Sequence, residues 1–494
     1  IIITQGEAEK NEKSRSKKFK TWRYKAKNVR DFAFTSSRKF IWDAMGVKFG
    51  SRTVMAMSYY PKEANPLYER YSTRAVAHTL RVYSKYTFDY PYPVAISVEA
   101  NNGMEYPMIC FNYGRPEKDG TYSERIKYGM ISVIIHEVGH FYFPMIVNSD
   151  ERQWTWMDEG LNSYLQFLAE QEWDREYPSR RGPPKNIVNY MKGNKNNLAP
   201  IMTNSESIYQ FGNNAYGKPA TALNILRETI VGRELFDFSF KEYSKTWMFK
   251  HPTPSDLFRI LENTSAVDLD WFWRGWFYGT DPVDLSIDKV TWFTLDTKNP
   301  EIEFALKKQN KDKEPIQTWQ ESNKIDIQET VVETDELAND FYNKFDPYEV
   351  TILDKEEFNR YRDSSVVEPR EKEIYNSNLN YYEIKFSNIG GLVMPIILQL
   401  EYADSTDHLI RIPAEIWKMN RDQITKIIAT KKQVASFILD PKLETADIDL
   451  INNHWPRKMI QSKFELYKSK KYGRGKTSKE NKMQRANRAK ERSN

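Results

Sequence analysis

His136-Glu137-Val138-Gly139-His140, followed by Glu159 after eighteen intervening residues, are the residues of this chain best suited to chemistry. Residues four apart on a helix share a face. His136 and His140 can therefore direct two imidazoles at one ion, with Glu137 beside them. Zinc accepts imidazole nitrogen and carboxylate oxygen, and a catalytic zinc needs three protein ligands with one position open. Two histidines and Glu159 make such a set, and Glu137 remains free to move a proton.

These residues need two helices to hold them. Residues 128–143 are apolar on almost every face, through Met130, Ile131, Val133, Ile134, Ile135, Val138 and Phe141. That pattern predicts a buried helix. Two histidines and a glutamate buried there need partners. A metal supplies one, and pairing among the polar residues themselves is the competing reading. Thr121 and Glu124 have capping-box spacing, which places the helix start near them. Gly139 costs roughly 1 kcal/mol against Ala inside a helix, so it points to close packing. The second helix is expected from Thr155 and Asp158, again with capping-box spacing, and from a stripe of Leu161, Tyr164, Leu165 and Leu168. Glu159 then falls in the first turn, where the helix dipole favours an ionised carboxylate.

With the spacing of its two histidines and Glu159, the chain resembles the gluzincin zinc peptidases, specifically the aminopeptidase N family, which includes leukotriene A hydrolase. Two further stretches carry the resemblance. Gly103-Met104-Glu105-Tyr106 lies where the family has Gly-x-Met-Glu-Asn, and Tyr216-Gly217-Lys218-Pro219-Ala220 lies where it has Tyr-Glu-Lys-Gly ahead of a helix. The likeness covers about residues 80–283. Tyr106 in place of Asn, Asp158 in place of the usual Asn, and Gly217 and Pro219 in place of Glu and Gly depart from the pattern. None of them removes a ligand or the glutamate base, so they imply a divergent branch with altered substrate contacts.

The resemblance implies one zinc per chain, held by His136, His140 and Glu159, with Glu137 as general base and then acid. It implies that Tyr216 hydrogen-bonds the oxyanion and that Glu105 binds the free α-ammonium of a peptide. The backbone of Gly103 and Met104 would pair with an extended substrate. Fold and function follow as expectations: an α+β multidomain protein, with a thermolysin-like zinc peptidase catalytic domain and then a β-rich, sandwich-like domain, acting as an aminopeptidase on peptides. A thermolysin-type endopeptidase would use the same ligands without Glu105 as an amine anchor. A non-catalytic peptide-binding protein of the same fold is a third reading, which the intact Glu137 disfavours. The resemblance also admits an epoxide hydrolase, to which no residue points.

Composition sets limits around this. A chain of 494 residues implies two to four domains. Hydrophobic residues make up 40% and charged residues 29%, a soluble globular profile. No apolar run approaches the roughly 18 residues of a membrane span. The single Cys110 allows no internal disulfide and reads as a packing residue. The chain begins with Ile and shows no signal peptide; residues 1–19 read as a charged linker and 20–60 as the remnant of an N-terminal β domain. We therefore expect a fragment of a longer protein, periplasmic or secreted if the missing part carried a signal peptide. The compartment and oligomeric state stay open.

Within the expected catalytic domain, residues 61–283, helices are predicted over 65–86, 215–229, 235–247 and 255–263, and strands over 91–107. Val94, Ile96 and Val98 alternate as a strand should. The aromatic run from Trp271 to Tyr278 reads as a helical core anchor. Residues 284–462 read as the β-rich domain, with paired strands over 285–306 and a charged insertion over 308–385. Pro395 places the following strand at an edge or delays its start. Residues 463–494 read as a basic, disordered tail. Its last part, 468–494, carries eleven Lys or Arg against two Glu. It lacks any base-stacking or groove-reading motif, so no nucleic-acid partner is expected.

Overall fold

The computed structural model describes residues 2–4, 7–8, 21–364, 368, 379–458 and 480–493. Two antiparallel strands, β1 (Ile41–Phe49) and β2 (Arg52–Tyr60), open a five-stranded sheet. A helix, α1 (Thr73–Tyr86), then leads to β3 (Val94–Glu99), β4 (Met104–Tyr106) and β5 (Ile109–Asn112). The strand order is β1-β2-β3-β5-β4, with β3 parallel to both β2 and β5. Val54, Ala56, Ala95 and Cys110 lie in the main core, and Cys110 is fully buried. Ile96, Val98 and Ile109 form a second cluster with Met57, Tyr59 and Phe111. Both faces of the sheet are thus covered, and the alternation read in Val94, Ile96 and Val98 sorts side chains between them.

This arrangement corrects one boundary. Residues 41–60 belong to the sheet that carries the Glu105 strand. They are not the remnant of a separate domain, because parallel pairing of β2 with β3 ties them in. Ile2–Thr4 and Glu7–Ala8 pair with Phe34–Ser36 and Tyr24–Lys25, so those few residues are strands rather than linker. The remainder of the expected 1–19 linker lies outside the described residues.

Against the sheet pack α2 (Glu124–Gly139) and α3 (Thr155–Trp173). Helix α2 starts at Ser123, whose hydroxyl accepts from Ile126 N. The predicted cap, Thr121, instead donates to Asp119. Helix α3 has no capping box: the Thr155 hydroxyl donates to Glu151 O, and Asp158 turns inward to His140. Buried Ile131, Ile134, Ile135 and Val138 fix α2, and buried Leu161, Tyr164, Leu165 and Leu168 fix α3. A π-turn at Gly212–Gly217 runs into α4 (Lys218–Ile225). Helices α5 (Arg233–Thr246), α6 (Pro254–Ser265) and α7 (Asp270–Trp276) complete the lobe. Phe272, Trp273 and Trp276 are buried there, so the aromatic run is a core anchor.

Two further sheets follow. One is Leu285–Thr294, Asn380–Asn388 and Gln423–Thr430, and the other orders Asp407–Ile412, Ile396–Tyr402, Val434–Leu439 and His454–Trp455. Tyr382 and Phe437 meet between them at 5.3 Å, giving the sandwich-like unit. Pro395 directly precedes its strand, which is internal to its sheet. The strand reading of 285–306 fails beyond Thr294, where Pro300–Asp312 is helical behind an Asn299 cap. The charged insertion also ends earlier than expected, since Asn380–Asn388 is the middle strand of its sheet. The described residues between hold exposed helices such as Ile352–Arg362. In the tail, Lys482–Ser493 forms a helix rather than disorder. Its Ala, Lys, Arg and Gln favour helix, and the Asn481 side chain accepts from Gln484 N at its start. Residues 459–479 lie outside the described residues. No helix among the described residues is long and apolar enough to cross a membrane.

Candidate metal centre

Helix α2 carries His136 and His140 on one face at its C-terminal end, and α3 brings Glu159 to them from its first turn. His136 Nε2 lies 3.0 Å from His140 Nε2 and 3.0 Å from Glu159 Oε2, and His140 Nε2 lies 3.3 Å from the same oxygen. The far nitrogens face acceptors: His136 Nδ1 is 2.9 Å from Gln166 Oε1, and His140 Nδ1 is 2.9 Å from Phe143 O. Each Nδ1 therefore carries the ring proton, and each Nε2 presents a lone pair to the other. Two imidazole nitrogens and a carboxylate this close need a cation among them, a metal ion or, without one, a proton on His140 shared with His136. Zinc–ligand distances of about 2.0–2.1 Å set tetrahedral ligand atoms about 3.3 Å apart, so the donor set fits that ion.

The electrostatics agree. Burial opposes a charge on His140, but the carboxylates of Glu105, Asp158 and Glu159 outweigh it and raise its pKa well above an ordinary histidine's. Burial by itself would raise Glu159, yet the two imidazoles hold it well below the usual carboxylate range. This is a site built to hold positive charge.

Buried polar groups lock the ligands. Asn162 donates to His136 O at 2.8 Å, and Tyr83 donates to Asn162 Oδ1 at 2.7 Å. Gln166 also donates to Glu170, which accepts from Ser132 at 2.7 Å. Asp158 Oδ1 stands 2.9 Å from His140 Nδ1, and burial together with Glu159 raises its pKa well above the usual range. Behind it, Glu151 pairs with Arg30 at 2.6 Å.

Glu137 is buried beside the ligands without joining them. Burial, reinforced by Glu105 and Glu159 and opposed by His140, pushes its carboxyl up to about 8. Gly103 packs directly on that carboxylate: a Cβ there would overlap Glu137 Oε1. Glu105 reaches the same region, with an oxygen within 4.8 Å of ligating atoms on His140 and Asp158. Its strand, β4, is the edge of the sheet, and among the described residues its outer backbone groups have no strand partner. Tyr216, in the π-turn, donates to Glu159 Oε1 at 2.5 Å. Burial and the Glu159 charge raise its pKa, so the hydroxyl keeps its proton. Seven of the eight residues singled out in the sequence thus lie around one centre; Met104, between Gly103 and Glu105, turns an exposed side chain away from it. Of the departures, Tyr106 meets Phe111 edge-on within the sheet; Lys218, which keeps the family's lysine, turns inward to donate to Gly279 O at 3.0 Å.

Residues 71–276 match the model of the Peptidase family M1 domain. That stretch is similar to the peptidase M1 domain. This chain is 28% identical over 228 residues to endoplasmic reticulum aminopeptidase 2 of Homo sapiens, covering 43% of this chain and 23% of that protein. It is 25% identical over 213 residues to aminopeptidase N of Streptomyces lividans, covering 38% and 24%. The matched segments thus span under a quarter of these relatives' lengths. The structure of Legionella pneumophila aminopeptidase A in complex with aspartic acid aligns over 90% of this chain and 42% of that one, with TM-score 0.53 and 12% identity. That likeness shows the fold. The M1 family implies zinc, which the His136–His140–Glu159 cluster suits.

Sequence reasoning missed Asn162, Gln166 and Tyr83. The first two had a signal: they stand three and seven residues after Glu159, on its face of α3. Tyr83 had none, because folding alone brings it near.

Proposed function

We propose that this chain is a zinc aminopeptidase holding one zinc on His136, His140 and Glu159. The observation that carries the reading is Glu105 beside the metal cluster on an edge strand, where a carboxylate can hold the free ammonium of an extended peptide. Relatives named as aminopeptidases support it. Zinc bound there polarises a carbonyl and eases removal of a proton from water. Glu137 takes that proton at its carboxylate and returns it to the leaving amine. Tyr216 turns its hydroxyl from Glu159 to the oxygen that gains charge. The backbone of Gly103 and Met104 pairs with the substrate as an added strand. Gln166 and Phe143 O hold the imidazoles in the tautomer that leaves each Nε2 free.

The test compares matched peptides with free and acetylated N-termini. Cleavage of the free form only is expected. Equal cleavage of both would reject the assignment and favour an endopeptidase.

A further inference from the structure

Beside the metal cluster lies a cavity of about 580 Å³ that touches Gly103, His136, Glu137 and Tyr216 and runs along the N-terminal half of α2. Three arginines line it: Arg125, Arg180 and Arg181. Of its three carboxylates Glu137 is the proposed base, and the other two are already engaged. Glu170 accepts from Ser132, Gln166 and Ser179, and Glu124 pairs with Lys482 at 3.2 Å. Arg181 is the deepest of the three. Its guanidinium carbon sits 4.0 Å from the Tyr216 ring centroid, and its Nη1 is 3.4 Å from the Ser163 hydroxyl. Among the described residues, no carboxylate forms an ion pair with it. Arginine keeps its charge even when largely desolvated, so a costly cation stands without a counter-ion one side chain from a metal ligand.

The cavity also has a direction. Glu105 is not part of its lining but sits across the centre, with His140 and Asp158. A peptide held by its amine at Glu105 therefore sends the residue beyond the cleaved bond into the cavity.

We propose that Arg181, supported by Arg180 and Arg125, binds a carboxylate on the leaving side of the cleaved bond. This rests on the aminopeptidase reading for its orientation. The planar guanidinium, braced on the Tyr216 ring, offers paired N–H groups to both carboxylate oxygens. Two sources carry that chemistry: an acidic side chain on the second residue, and the free C-terminus of a dipeptide.

The test is calorimetric titration of the zinc-loaded Glu137→Ala protein, which separates binding from turnover. Leu-Glu-amide against Leu-Gln-amide reports the side chain, and Leu-Leu against Leu-Leu-amide reports the C-terminus. At least one carboxylate ligand is expected to bind about tenfold tighter than its amide. Adding Arg181→Met should reduce that ratio to below about twofold, and Arg181→Lys should restore part of it. Binding of the amides and an unchanged melting temperature show that the variant is folded. If Arg181→Met unfolds, Arg180→Met in its place should lower the ratio by a smaller factor. Ratios near one in both pairs, ratios unmoved by these substitutions, or no binding of any ligand would overturn the proposal. Cleavage of free against acetylated peptides by the unsubstituted protein is scored separately. Its failure alongside Arg181-dependent binding would sink the aminopeptidase reading and spare the carboxylate site.

Discussion

Gly139 lies one residue before His140, where α2 meets α1 and α3, and its replacement tests how the ligands are held. A Cβ at Gly139 would overlap Asn162 Oδ1 and the Tyr83 hydroxyl, and would sit 2.5 Å from Tyr83 Cζ. These atoms form the buried Tyr83–Asn162 hydrogen bond, and Asn162 in turn holds His136 O. Gly139→Ala should gain about 1 kcal/mol in helix propensity. It should lose about 1–3 kcal/mol to overpacking and about 1–3 kcal/mol from breaking a buried hydrogen bond. The expected net loss is about 1–5 kcal/mol, a drop of roughly 2–20 °C in melting temperature for a domain of this size. Differential scanning calorimetry measures it. A double-mutant cycle with Tyr83→Phe checks the cause: the Phe substitution should cost about 1 kcal/mol or more alone and much less on top of Gly139→Ala. A melting temperature unchanged or raised in Gly139→Ala, or fully additive losses in the cycle, would refute the reasoning.

Other perturbations separate roles at the centre. Glu137→Ala should keep its zinc by metal analysis and lose about 10²–10⁴-fold in kcat, because a base is removed and no ligand is; unchanged turnover contradicts this. Tyr216→Phe should lower kcat by about 10²–10³-fold with little change in KM, and an equal change in both would move Tyr216 from oxyanion binding to substrate binding. Lys218 gives a pH signature away from the metal. Burial lowers its pKa to about 8, with Asp281 partly opposing. Between that value and the ordinary lysine range the unfolded chain binds more protons, so this group makes the fold more stable as pH rises through that window. Lys218→Met should lack about 2 kcal/mol of that rise in urea unfolding between pH 7.5 and 10, and equal slopes would refute it.

Local features were legible in the sequence. The spacing of His136, His140 and Glu159 survives folding because two buried helices fix it, and Gly139 was rightly read as a close contact. Helix starts were less legible. Ser123 outcompetes Thr121 because the Thr121 hydroxyl is taken by Asp119, and Asp158 serves His140 instead of its own helix end. Non-local pairings decided the rest. Nothing in residues 41–60 announces that β2 pairs with β3 across an intervening helix. In the same way, Asn380–Asn388 looks like part of a charged stretch until its two neighbours bury Tyr382, Ile384 and Phe386. Arg181 stayed hidden because its meaning lies in the carboxylate it lacks.

The most direct measurement of the central claim is zinc per chain in the purified protein after dialysis against metal-free buffer, read by plasma mass spectrometry beside Glu159→Ala. Crossing lone pairs at 3.0 Å and a carboxylate aimed at both lead us to expect one zinc in the unsubstituted chain and well under half that in the variant. A folded protein that holds no zinc, or a Glu159→Ala variant that retains it in full, would contradict the account.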